Sequence, residues 1–153
     1  VGFSSKNLLS SGKYSATRGQ KMADRALALW NGKPSRDLCL AGVDDTAESS
    51  GAIPANPGWL PRKPSAVDWQ NYVTANPNEL LARGYVRENL DVNHLPKGAI
   101  IGWRGGQCGY HSQYGHIEVV SDANSSQACS DYCGAVKKNC GDPLVFIPIE
   151  LSN

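Results

Sequence analysis

Two side chains far apart in the sequence are of the types that form a nucleophile and its base. Cys39 stands alone in the N-terminal half of the chain, and His116 lies in the run Tyr114-Gly-His-Ile-Glu-Val-Val-Ser-Asp122. A cysteine attacks as its thiolate, a form favoured by the positive end of a helix dipole and by a neighbouring imidazolium. The residues before Cys39 carry a helix start signal, with Ser35 as N-cap and Asp37 in the first turn, which predicts the cysteine within the first two turns of a helix. His116 reads as the mouth of a strand, because Ile117, Val119 and Val120 are β-branched and a turn-rich run from Ser121 to Ser126 follows them. Alternation along that strand puts His116, Glu118 and Val120 on one face and Ile117 and Val119 on the other. Gly115 leaves room for a close approach beside the histidine. A lone histidine at such a place is as readily a structural residue, and the upstream cysteine is what makes the pair of interest.

Five cysteines are present; Cys108, Cys129, Cys133 and Cys140 crowd the C-terminal third, and Cys39 is isolated. An odd number in an oxidising compartment leaves one thiol over, so the reading is two bridges and one working thiol in a secreted, periplasmic or surface protein. Of the three connectivities, Cys108–Cys129 with Cys133–Cys140 is preferred, the second closing the short loop Gly134 to Asn139. The spacing of Cys129 and Cys133 also suits zinc, but Cys108 and Cys140 make no tight second pair, so no metal is expected. No cofactor is expected either.

The elements that must position these groups follow in order. The chain has 153 residues, a length for one domain, residues 1–17 forming an arm with a turn around Leu8-Leu9. Met22, Ala23, Ala26, Leu27 and Trp30 recur at helical spacing from Thr17 until Asn31-Gly32, and a second helix is predicted from Arg36 to about Ser50. Residues 52–64 hold Pro54, Pro57, Pro61 and Pro64 with Trp59 between them, a rigid loop whose aromatic either walls a cleft or pins the loop to the core. Ser65 to Asp68 resembles a capping box opening a third helix with Trp69, Tyr72 and Val73, and Pro77 to Arg83 adds further helical turns. After Gly84 the period changes. The segments 85–87, 99–103, 115–121, 127–131 and 144–149 are short and apolar or alternating, which predicts a small antiparallel sheet and an α+β fold.

Fifteen Lys and Arg against fourteen Asp and Glu give a charge of +1, which argues against a nucleic-acid partner. No apolar run approaches the roughly 20 residues of a membrane span, so no membrane association is expected. A monomer is expected.

Taken together, these motifs resemble the CHAP and NlpC-type papain-like amidohydrolases that cut peptidoglycan peptides. The matching pieces are Asp37-Leu-Cys39, Ala66-Val-Asp-Trp69, Leu95-Pro-Lys-Gly-Ala-Ile-Ile-Gly-Trp103 and Tyr114-Gly-His-Ile-Glu-Val-Val120, spread over about residues 30–131. The resemblance implies a papain-like fold of N-terminal helices on an antiparallel sheet. It implies a catalytic Cys39 and His116, a third polar residue on the strand after the histidine, a peptidoglycan peptide as substrate, and an inhibitor or immunity protein as partner. Asp131 is the first choice for the third member, with Asp122 and Glu118 behind it and Cys129 in the place some toxin-like relatives use. Trp59, Trp69, Tyr110 and Tyr114 are the candidate substrate contacts, and His111 and His94 read as surface or structural. Leu38 and Leu40 flank Cys39 where the family usually has polar residues. Two rival functions are a non-catalytic secreted module that holds glycan or peptide on Trp59, Trp69 and Trp103, and a papain-like deamidase or transferase. The state of Cys39 separates the first rival from the hydrolase.

Overall fold

Helices lie on one side of a sheet and loops on the other, in a computed structural model that describes residues 13–151. Most of the expected arm, including Leu8 and Leu9, falls outside those residues. Four helices, α1 (Ala16–Trp30), α2 (Cys39–Ser49), α3 (Ala66–Ala75) and α4 (Pro77–Ala82), come first. Six strands follow: β1 (Tyr85–Arg87), β2 (Ile100–Trp103), β3 (His116–Val120), β4 (Gln127–Cys129), β5 (Cys133–Ala135) and β6 (Leu144–Pro148). The strand order is β1-β6-β2-β3-β4-β5, with every pairing antiparallel. The α+β reading is therefore correct.

Local chemistry explains where the helices begin, with one exception. Ser15 accepts from the Arg18 N–H to start α1, and Ser65 accepts from the Asp68 N–H to start α3, each satisfying a donor that a helix end leaves orphaned. The second helix does not start as expected. It begins at Cys39 rather than Arg36, its N-cap is Leu38, and no side chain of its own caps it. Ser35 instead accepts from the Asp37 N–H, and Asp37 sits at φ +60, a left-handed turn that Asp tolerates better than most residues.

Period-two alternation sorts the sheet into two apolar layers. Ile100, Ile117, Val119 and Phe146 face the helices and pack with Met22, Ala26, Val43 and Trp69. Ile101, Trp103, Val120, Val145 and Ile147 face the other way, under Leu90, Leu95 and Val136. Ile100 pairs with Val119 on one side and Phe146 on the other, so this row ties three strands together. All five residues of β3 are buried, and each Ile or Val so buried contributes about 1.5–3 kcal/mol.

The cysteine pairing differs from the expected one. The bridges are Cys108–Cys140 and Cys129–Cys133. Of residues 127–131, expected as one strand, only 127–129 are extended; they form the first arm of a hairpin in which Cys129 and Cys133 are cross-strand partners, and this proximity fixes their pairing. Four of the five sulfurs are thereby committed to bridges, leaving Cys39 unpaired.

Candidate active site

Cys39 is the first residue of α2 and His116 the first of β3. The fold brings these two ends together: both side chains line one cavity, and the thiol is close enough to the imidazole to favour its protonated form. Gly115 makes this possible in the chain just before the histidine: it lies at φ +64, and a Cβ there would collide with the Trp103 carbonyl oxygen. Only glycine meets both conditions without strain. His116 is 6% exposed, and Cys39 is half-buried at the cleft floor.

The other side of the imidazole meets a carboxylate. Nε2 of His116 lies 3.1 Å from Oε1 of Glu118, which leaves Nδ1 as the ring atom for the sulfur. Trp103 donates its indole N–H to Oε2 of Glu118 at 3.0 Å, so both carboxylate oxygens are engaged. Burial pulls the His116 imidazolium down, yet the hydrogen bonds to Cys39 and Glu118 and the negative charge of both outweigh it, and the ring is pushed up from 6.5 to about 9. One face of the ring is stacked on Tyr110, with centroids 4.2 Å apart and planes 8° apart. Lys137 sits over that same tyrosine, its Nζ 4.6 Å from the ring centroid, and donates to the Cys108 carbonyl. The Cys108–Cys140 bridge thus fastens the loop that carries Tyr110.

A side chain that carries no signal in the sequence holds the backbone of the histidine. Gln70, fully buried on α3, donates its amide to the carbonyls of both Trp103 and His116 at 3.1 and 3.2 Å, and its oxygen accepts from Arg104. Trp103 and His116 are the last register pair of β2 and β3, so Gln70 closes the mouth of that pairing.

Asp131, the first choice for the third catalytic group, has no hydrogen bond to His116. Its carboxylate accepts from the Ser35 hydroxyl at 3.1 Å, the Arg36 N–H at 2.6 Å and the Leu38 N–H at 3.2 Å. Glu118, a weaker choice from sequence, occupies the position beside the ring. Two residues apart on one strand, the pair share a face, a signal present in the alternation. The remaining alternatives, Asp122 and Cys129, lie elsewhere: Asp122 precedes a turn beyond β3, and Cys129 is bridged.

Two cavities meet at the sulfur. One of about 640 Å³ is lined by Cys39, His116, Tyr110, His111, Tyr114 and Tyr132, among others. Another, about 410 Å³, is lined by Asp44, Arg62, Lys63 and Ser65 and shares Asp37, Cys39 and Tyr114 with the first. Cys39 and Tyr114 therefore stand on the divide of a cleft running past the thiol. Of the expected substrate contacts, Tyr110 and Tyr114 are in this cleft. Trp69 is not; it is fully buried, edge-on to Phe146 and stacked on Trp59. Trp59 donates to Asp44 at 2.9 Å and so pins its proline-rich loop to α2. Trp103 is also fully buried. His111, expected as a surface histidine, is exposed at the cleft lip, where its Nδ1 accepts from the Gln113 and Tyr114 N–H groups and its ring stacks on Tyr114 at 4.5 Å. His94 lies in a short 3-10 turn, away from the cleft.

Chemically, the arrangement is a thiol beside an imidazole whose far nitrogen is held by a buried carboxylate, which is the layout of nucleophile, base and orienting group. No cluster of three or more His, Cys, Asp or Glu among the described residues is arranged to hold a metal ion. Comparison with protein families, curated proteins and solved structures returns no match for this chain.

Proposed function

We propose that this chain is a papain-like cysteine hydrolase that cleaves amide bonds in peptidoglycan stem peptides or cross-links. The observation that carries the reading is the unpaired Cys39 at the first residue of α2, in the same cavity as an imidazole that Glu118 holds from behind. The motif resemblance supplies the substrate class.

In this reading the Cys39 thiolate, stabilised by the His116 imidazolium, attacks the amide carbonyl carbon. The carbonyl oxygen becomes an oxyanion. Its hydrogen-bond donors are first-turn N–H groups of α2, which has no side-chain cap to occupy them. Collapse of the tetrahedral species breaks the C–N bond as His116 gives its proton to the leaving amine, and a thioester on Cys39 remains. Water then attacks the thioester carbonyl, losing a proton to His116. Release of the carboxylic acid restores thiolate and imidazolium. Throughout, Glu118 accepts the Nε2–H and keeps Nδ1 facing the sulfur. The high affinity of His116 for its proton fits the acid step, because the imidazolium is the form that must be present before the amine leaves.

Two bridges suit an oxidising compartment, and no helix among the described residues is long and apolar enough to cross a membrane. The bridges support action outside the cytoplasm. The test is incubation of purified peptidoglycan with the parent and with Cys39→Ala, followed by mass analysis of soluble fragments. New amine and carboxyl termini should appear with the parent alone; their absence from both would refute the hydrolase reading.

A further inference from the structure

We propose that Asp131 is a positioning residue for Cys39, acting through the loop that leads into α2 rather than through the histidine. The kinetic arm of its test rests on the hydrolase reading, whereas the alkylation arm does not.

The helix that presents the sulfur has no side-chain cap of its own. The segment before it turns through Asp37 at φ +60, a conformation that costs an L-residue free energy and persists only where its surroundings impose it. A carboxylate 93 positions downstream of Leu38 imposes it. One oxygen of Asp131 accepts from the N–H groups of both Arg36 and Leu38, and the other accepts from the Ser35 hydroxyl. Asp131 is 5% exposed, so its buried carboxylate ties an otherwise exposed loop to the hairpin tip, and without it the loop loses all three of these bonds at once. These bonds fix the residue immediately before Cys39.

The same hairpin tip also touches the helix after Cys39. A Cβ at Gly42 would run into the carbonyl of Ser130 and the N–H of Asp131, so the tip and the first turn of α2 meet backbone to backbone. Contact on both sides of residue 39 makes the tip a clamp. Only Ser130, Asp131 and Tyr132 lie between Cys129 and Cys133, and the bridge closes that turn. Because His116 is held independently by Glu118, Tyr110 and Gln70, movement of the tip displaces the sulfur relative to a fixed ring. A misplacement of about 1 Å can cost a reaction roughly 10²-fold.

The test compares Asp131→Ala, Asp131→Asn and the parent. Asn keeps a carbonyl oxygen for the Arg36 and Leu38 N–H groups, and its amide N–H₂ can donate to the Ser35 hydroxyl oxygen. Asn therefore restores the geometry without the charge, a rescue that a catalytic carboxylate would not permit. The first readout is the rate of iodoacetamide labelling of Cys39 in the native protein at neutral pH, followed by mass spectrometry; the second is kcat and KM on peptidoglycan peptides. The alanine variant should lose about 10²-fold in kcat with KM nearly unchanged and should label more slowly, while the asparagine variant stays within several-fold of the parent. Labelling and turnover at the parent's rates in Asp131→Ala would overturn the proposal, as would an Asn variant as impaired as Ala. Should the alanine variant fail to fold, Ser35→Ala, which removes one of the three donors that the loop before α2 gives Asp131, should still label measurably more slowly, and parent-like labelling there would overturn it. If neither the parent nor any variant turns over peptide but labelling follows the expected order, the hydrolase reading fails and the positioning role stands.

Discussion

Replacing Glu118 by glutamine tests the orienting role of the carboxylate with almost no change in volume. Glu118 uses both oxygens, one toward Nε2 of His116 and one toward the indole N–H of Trp103. An amide has one oxygen and one N–H₂, so Glu118→Gln can satisfy only one of those two donors, and the negative charge is lost in either case. The imidazolium is held up at about 9 against burial by Cys39 and Glu118 together, and the rise from 6.5 is worth about 3 kcal/mol in favour of the protonated ring. Removing one of the two supports should lower it markedly, each tenfold change in proton affinity being about 1.4 kcal/mol. A ring that releases its proton more readily carries the imidazolium over a narrower pH range, so the alkaline limb of kcat moves to lower pH. General acid–base catalysis contributes about 10²–10⁴-fold, and kcat at neutral pH should fall by about the lower end of that range with KM little changed. NMR titration of the His116 ring in parent and variant, alongside the pH profile of kcat, measures both effects. A ring that titrates at the same pH in Glu118→Gln as in the parent would refute the reasoning.

Cys39→Ala and His116→Ala should each abolish release of peptidoglycan fragments while leaving the circular dichroism spectrum intact; a Cys39→Ala protein as active as the parent excludes the nucleophile. Asp44 is buried, and that burial, opposed by the Trp59 hydrogen bond and by Arg62, pushes its carboxyl up from 3.8 to about 6. The folded chain therefore keeps a proton that the unfolded chain releases. That contribution, at most about 3 kcal/mol, is fully present below pH 3.8 and is lost as pH rises through about 6. Urea unfolding from about pH 4 to about pH 7 should show this slope in the parent and its loss in Asp44→Asn. The Cys108–Cys140 bridge spans 32 positions and the Cys129–Cys133 bridge only 4, so loop-closure entropy predicts a cost of about 3.7 kcal/mol for replacing the first pair by alanine and about 2 kcal/mol for the second. Equal losses in denaturant midpoint and slope for the two double variants would contradict that account.

The parts of the fold that depend on neighbouring residues are legible in the sequence. The alternation of β3, the periodicity of α1, the Ser65 cap and the glycine before His116 all act over a few positions, and the structure agrees with each. What depends on distant partners is not legible. Sequence places the start of α2 too early because the loop before it is held by Asp131 and not capped by Ser35. The strand expected at 127–131 runs past its true end at Cys129 because the turn Ser130-Asp-Tyr132 contains neither glycine nor proline, and the bridge pairing is misread with it. Tryptophans 69 and 103 give no local sign of their complete burial. For the site itself, Cys39 and His116 both stand out from their residue types and settings. Glu118 is visible two residues from the histidine, yet sequence ranks it below Asp131, whose carboxylate bonds the loop before Cys39 and not the ring.

The amide of Gln70 governs an unexpected position. It reaches two carbonyls at the end of a strand pair because Gly102, its neighbour on β2, presents no side chain; a Cβ there would strike Gln70. An alanine at 102 adds one methyl group in a wall nowhere near solvent, yet it would evict the amide that anchors the main chain of the base. The aim of the imidazole is thus decided in part by the absence of an atom, at a residue with no polar side chain and no view of the cleft.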